Sequence, residues 1–147
     1  MEKLTIPKIE MRVTIEKGPR IKMRNSKDAY DVFMNLFSQD TINFTEEMIL
    51  LALNRQNEIY GWYRISSGGT SATICDAKVV FSILLKANAS SFMLAHNHPS
   101  GALRPSNEDI ELTKNLVKAG RLLDIKLLDH LIVSDSGYLS MSDEGII

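Results

Sequence analysis

The sequence predicts an α/β protein, a mixed sheet with helices on its faces. Strand-like and helix-like segments alternate along its 147 residues. Two strand-like segments, 46–53 and 59–65, flank the short polar stretch Asn54-Arg55-Gln56-Asn57, which reads as an antiparallel hairpin. The length fits one domain with a substantial core.

The elements follow in order. Residues 9–15 alternate, with Ile9, Met11, Val13 and Ile15 against Glu10, Arg12 and Thr14, as a half-buried strand does. Gly18-Pro19 ends that pattern. Ser26 is a suitable N-cap for a helix over about 27–38, with Ala29, Val32, Phe33, Leu36 and Phe37 on one face. Residues 46–53 are apolar on both faces after an acidic start, like a central strand covered on both sides. The return strand is 59–65, a polar loop occupies 66–71, and a short strand is expected near 72–75. Asp76 caps a helix running to about Ala87, and 91–95 is an apolar strand ending at His96. Pro99, Gly101 and Pro105 enforce a loop before Ser106 starts a helix to about Leu122. Strands at 126–133 and 138–140, with a turn at Asp135-Ser136-Gly137, close the chain.

Composition excludes several classes. The longest apolar run, Met48 to Leu53, has six residues, far short of a membrane span. The first residues lack a secretory apolar stretch. Cys75 is the single cysteine, so no intrachain disulfide or cysteine-rich zinc knuckle forms, and a reducing cytoplasm is the simplest setting. It reads as a small buried residue rather than a nucleophile, with no basic neighbour in sequence. Net charge of −1 gives no global footprint for nucleic acid. Arg12, Lys17, Arg20, Lys22, Arg24 and Lys27 do crowd one stretch, which reads first as a solvated surface and only second as an accessory nucleic-acid contact.

The stretch with most chemistry is His96-Asn97-His98-Pro99-Ser100-Gly101, followed by Ser106 and Asp109. Residues i and i+2 of a strand share a face, so two imidazoles can address one ion. Asp109 can return across the loop as a third ligand, leaving a position open, as in catalytic zinc sites. Each residue alone has a plainer explanation; Ser106 and Asp109, for instance, have capping-box spacing. Capping does not account for two histidines immediately upstream. Bound zinc lowers the pKa of water to about 7, and hydrolysis then needs a general base. Glu46 and Glu47, which open the most apolar strand, are the candidates, and alternation cannot choose between them. The Ser106 hydroxyl can donate to an oxyanion.

The pattern His96-x-His98, seven residues, Ser106-x-x-Asp109 resembles the signature of the JAMM (MPN-plus, JAB) metalloproteases. The fuller text, with Pro105-Ser106 and Asp129-His130, looks like the RadC branch, over about residues 44–147. The resemblance implies a cytidine-deaminase-like α/β/α three-layer fold and zinc on His96, His98 and Asp109. It implies Ser106 as oxyanion donor and an upstream glutamate as acid/base. Counting back eight residues from Asn54, as RadC-like sequences do, favours Glu46 over Glu47. His130 is then expected to support a ligand rather than to be one. Residues 1–43 read as a strand and helix preceding a metal-binding core at 44–147, without the helix-hairpin-helix region of long RadC proteins.

Peptide or protein is therefore the expected substrate, nucleic acid a weaker alternative, and membrane no partner. A nucleobase deaminase needs H-x-E and P-C-x-x-C, which one cysteine excludes. An iron oxygenase of the facial-triad type starts H-x-D or H-x-E, and an HNH nuclease spaces its three residues widely. The competing class is a metal-stabilised interaction or DNA-associated module without turnover, or a metal-dependent nuclease.

Overall fold

The computed structural model describes residues 2–67 and 75–147. Among them the elements run α1 (Ser26–Leu36), β1 (Glu47–Leu53), β2 (Ile59–Ser67), α2 (Ala77–Lys86), β3 (Ser91–Asn97), α3 (Asn107–Leu123), β4 (Lys126–Ser134) and β5 (Gly137–Ser140). The strands form one sheet in the order β2-β1-β3-β4-β5. β3 and β4 run parallel, joined through α3, and the other pairs are antiparallel, so the sheet is mixed as expected.

Period-two alternation sorts each strand between two cores. Ile49, Leu51 and Leu53 of β1, Met93 and Ala95 of β3, and Leu131 and Val133 of β4 meet Ala29 and Phe33 of α1. Met48, Leu50, Ala52, Phe92 and Leu94 point the other way, onto Val80, Phe81 and Leu84 of α2 and Leu116 of α3. One helix covers one face and two cover the other, giving three layers. Every residue of β1 and β3 is buried, which is why both segments are apolar on both sides. α1 supplies a wall of the first core. No helix among the described residues is long and apolar enough to cross a membrane.

Local signals set most boundaries. Asp76 caps α2 by accepting from the Lys78 amide. Ser106 and Asp109 form a reciprocal capping box on α3. The hairpin turn is organised by Asn54, whose Oδ1 accepts from the Gln56 and Glu58 amides, while Asn57 takes a left-handed conformation at φ 60°.

Three expectations differ. Residues 9–15 form no strand, and Ile9, Met11, Val13 and Ile15 are 89, 72, 45 and 44% exposed. Alternation predicts a strand only where a neighbouring ladder exists. The chain pairs with the β2 edge by backbone hydrogen bonds at Ile21, Lys22 and Met23, beside Asn57, Glu58 and Ile59, and Gly18-Pro19 interrupts any continuation. Asn25, not Ser26, caps α1, accepting from the Asp28 amide, and the helix ends at Leu36. Ser26 turns instead to Tyr138 and Asp143. β2 and β3 each extend two residues beyond expectation, whereas most of the strand expected at 72–75 lies outside the described residues.

Gly120 shows how closely α3 meets the turn into β4. A Cβ there would lie 2.2 Å from the Ile125 carbonyl oxygen, the neighbour of an amide that itself donates to Gly120 O at 2.8 Å. Alanine normally gains up to about 1 kcal/mol over glycine inside a helix, but here it strikes backbone. Gly120→Ala should therefore destabilise by roughly 1–3 kcal/mol, the usual range for overpacking, read as a lower denaturation midpoint at unchanged slope.

Candidate metal centre

β3 ends, β1 begins and α3 starts at the same end of the molecule, because β1 is antiparallel to β3 (Met48 opposite His96). His96 follows Phe92 and Leu94 on the α3 side of β3 and is 1% exposed. His98 lies just beyond the strand. Gly101, at φ 82°, lets the loop turn so that its amide donates to the His98 carbonyl at 2.8 Å. His98 Nδ1 then meets the Ala102 carbonyl oxygen at 2.9 Å. That carbonyl can only accept, so Nδ1 carries the proton and Nε2 presents a lone pair inward.

The two Nε2 atoms are 3.0 Å apart. The Asp109 carboxylate lies 3.3 Å from His96 Nε2 and 3.2 Å from His98 Nε2. Atoms so spaced leave room for an ion roughly 2 Å from each, the bond length zinc makes to nitrogen and oxygen. Two imidazole nitrogens and a carboxylate make a donor set that fits a divalent metal. Burial pushes the Asp109 carboxyl up, but the His96 and His98 imidazoles, which hydrogen-bond it when protonated, and the Ser106 amide outweigh that and hold the group far below the usual range. Asp109 in turn raises His98, against the opposing effect of burial. Asp109 also sits in the first turn of α3, where the helix dipole favours an anion and the Ser106 amide donates to Oδ2 at 2.8 Å.

The two glutamates separate by parity. Glu46 precedes β1, is 8% exposed, and brings its carboxylate within 4.8 Å of the ligating nitrogens of His96 and His98. Among the described residues, Glu46, His96 and His98 have metal-ligand spacing, and Asp109 stands closer still to the same two nitrogens. Glu47 instead pairs with Arg64 Nε at 3.0 Å. Ser106 Oγ accepts from the Asp109 amide at 3.0 Å, which leaves the hydroxyl hydrogen unused by the cap. His130 is completely buried behind His96, its Nε2 2.7 Å from His96 Nδ1. Burial, with the neighbouring His96 charge adding to it, holds His130 well below the ordinary histidine range. It touches a member of the donor set rather than joining it. Cys75 is packed against the core, and burial pushes its thiol up to about 11, far from a thiolate nucleophile.

The residue that the motif conceals is Asn97. Its neighbours His96 and His98 carry the recognisable spacing, yet Asn97 points to the opposite face and is fully buried. Its Oδ1 accepts from the Glu47 amide at 2.8 Å, and its Nδ2 donates to the Ile42 and Thr45 carbonyls at 2.7 and 2.8 Å. The bonds to Thr45 and Glu47 bracket Glu46, tying its backbone to the strand that carries His96. Parity was the available signal: an amide at the inward-facing strand position between two histidines needs backbone partners. Asn97→Leu preserves approximate size but leaves those groups without partners. At about 1–3 kcal/mol for each buried group left unmade, it should cost at least about 2 kcal/mol in chemical denaturation.

The family of RadC-like JAB domains matches residues 23–146, which takes in α1 as well as the sheet. A UPF0758 protein of Flavobacterium johnsoniae is 40% identical over 125 residues, covering 85% of this chain and 53% of that protein. One from Porphyromonas gingivalis is 45% identical over 103 residues, covering 69% of this chain and 45% of that protein. One from Methanosarcina mazei is 36% identical over 134 residues, covering 91% of this chain and 57% of that protein. The chain thus spans about half the length of these relatives. With the match running from α1 to the last turn and the histidine–aspartate centre in place, the chain belongs to the RadC-like JAB domain family.

Proposed function

We propose that this chain is a zinc-dependent hydrolase of the JAMM type, cleaving peptide or isopeptide bonds in a peptide or protein substrate. One observation supports this above others: a buried carboxylate, Glu46, stands within 4.8 Å of two histidines whose Nε2 atoms lie 3.0 Å apart. A metal serving only to stabilise an interaction module has no use for such a neighbour.

His96, His98 and Asp109 would hold the zinc, which when bound would supply Lewis acidity and bring a water's pKa down to about 7. Asp109, committed as a donor and capped on α3, does not serve as base. Glu46 accepts the proton of the attacking water on its carboxylate and delivers it to the departing amine nitrogen. Its burial limits competition from bulk solvent. Ser106 directs its free hydroxyl hydrogen toward the oxyanion of the tetrahedral intermediate, a contribution of roughly 2.7–4 kcal/mol for one such donor.

Purified protein should carry about one zinc per chain by elemental analysis, the stoichiometry of a single three-ligand site, and His98→Ala should lose it. A His98→Ala variant with full zinc content sinks the metal assignment. Glu46→Gln should retain zinc and fold but lose turnover on a peptide library, because an amide cannot shuttle a proton. Unchanged turnover in Glu46→Gln with loss in Glu47→Gln reverses the two roles. Ser106→Ala should keep zinc and slow turnover, with a stability loss on the order of 1 kcal/mol from the missing cap.

A further inference from the structure

We propose that Thr113 and His130 are positioning residues that set the tautomer of His96, so that its Nε2 carries the lone pair turned toward the metal. The proposal rests on the metal centre described above and follows from a count of hydrogens. Thr113 Oγ1 lies 2.6 Å from the Asp109 carbonyl oxygen and 2.7 Å from His130 Nδ1. A hydroxyl has one hydrogen and a carbonyl can only accept. Thr113 therefore donates to Asp109 and accepts from His130 Nδ1. The ring proton of His130 is then on Nδ1, and Nε2 is an acceptor. That atom is 2.7 Å from His96 Nδ1, which must donate. His96 Nε2 is left bare, facing His98 and Asp109.

Burial makes the count binding. Thr113 and His130 are 0% exposed and His96 1%, so solvent does not replace a missing partner. The Asp129 carboxylate, adjacent in sequence, is occupied by the His130 and Ser142 amides and the Ser140 hydroxyl. His98 reaches the same tautomer by a shorter route, through the Ala102 carbonyl. Each imidazole is thus referred to a backbone oxygen, and for His96 that oxygen belongs to Asp109. One residue supplies both the carboxylate of the centre and the anchor of the relay. Partners that fix a ligating imidazole typically change metal affinity 10–100-fold when removed.

Thr113→Val and Thr113→Ser separate this role from packing. Valine keeps the shape and removes the hydroxyl; serine keeps the hydroxyl and removes the methyl. Without the hydroxyl, His130 Nδ1–H has no acceptor. The ring then favours Nε2–H, which donates to His96 Nδ1 and drives the His96 proton onto Nε2. Zinc affinity, measured by competition with a chromophoric chelator, should fall about 10–100-fold in Thr113→Val and stay near wild type in Thr113→Ser. Nitrogen-15 spectra of the metal-free proteins, taken above the histidine titration range, should place the His96 proton on Nδ1 in wild type and Thr113→Ser. In Thr113→Val it should move to Nε2. A thermal melt checks that each variant folds. If Thr113→Val leaves the His96 proton on Nδ1, or binds zinc as wild type does, the proposal is overturned. It is also overturned if serine loses as much affinity as valine, which marks packing as the cause. Failure of the wild type to bind zinc defeats the metal reading alone, since the metal-free spectra still decide the relay.

Discussion

Three lone-pair donors held within 3.0–3.3 Å of one another are the constraint on which the rest of this structure depends. Two imidazole lone pairs and a carboxylate facing one another repel unless a proton or a metal ion stands between them. A protein that assembles such a set before the cation arrives must hold each member by its far side. Each member is so held. His98 is fixed through the Ala102 carbonyl, and Asp109 through the capping box with Ser106. His96 is held by a strand on which every residue is buried and by the His130 ring behind it. The cost of preorganisation is spread over hydrogen bonds and core packing that the fold makes anyway.

The topology makes the convergence economical. The parallel β3–α3–β4 unit brings the end of one strand to the start of the following helix, where the dipole favours a carboxylate. Antiparallel β1 brings its first residues to the same end, and with them Glu46. β4 lies on the other flank of β3 and contributes His130 from beneath. Asp129 has a different task one residue earlier. Its buried carboxylate, raised by desolvation, binds Ser140 and the Ser142 amide, tying the β5 turn to β4 and fixing the strand position of His130.

The sheet and the donor set were legible in the sequence because their signals are local. Continuous apolar runs marked β1 and β3, Asp76 and Ser106 marked helix starts, and the spacing of His96, His98 and Asp109 marked the centre. Residues 9–15, which alternate yet form no strand, show the limit of such signals. Alternation describes a surface that suits a sheet, but whether a neighbouring strand is there depends on chain geometry elsewhere, and here the chain leaves the β2 edge at Ile21. The cap of α1 was misplaced by one residue because Asn25 and Ser26 have similar capping chemistry. What decides between them is tertiary: Ser26 is engaged by Tyr138, more than a hundred positions along the chain. The relay through Thr113 and the clamp at Asn97 are likewise contacts between distant elements, with no fixed spacing to announce them.

Parity is the point at which sheet geometry becomes chemistry. A strand sends successive side chains to opposite faces, so a slip of one residue would exchange Glu46 and Glu47. The glutamate facing Arg64 is neutralised by that partner; the one facing the histidines has no salt-bridge partner among the described residues. The sequence offers two adjacent identical residues, and nothing in their identity tells them apart. The distinction is made by the ladder, in which Met48 stands opposite His96, and by Asn97, which grips the backbone on both sides of Glu46. The residue between the two histidines thus secures the register on which their chemistry depends. A side chain that points away from the candidate metal centre determines which carboxylate faces it.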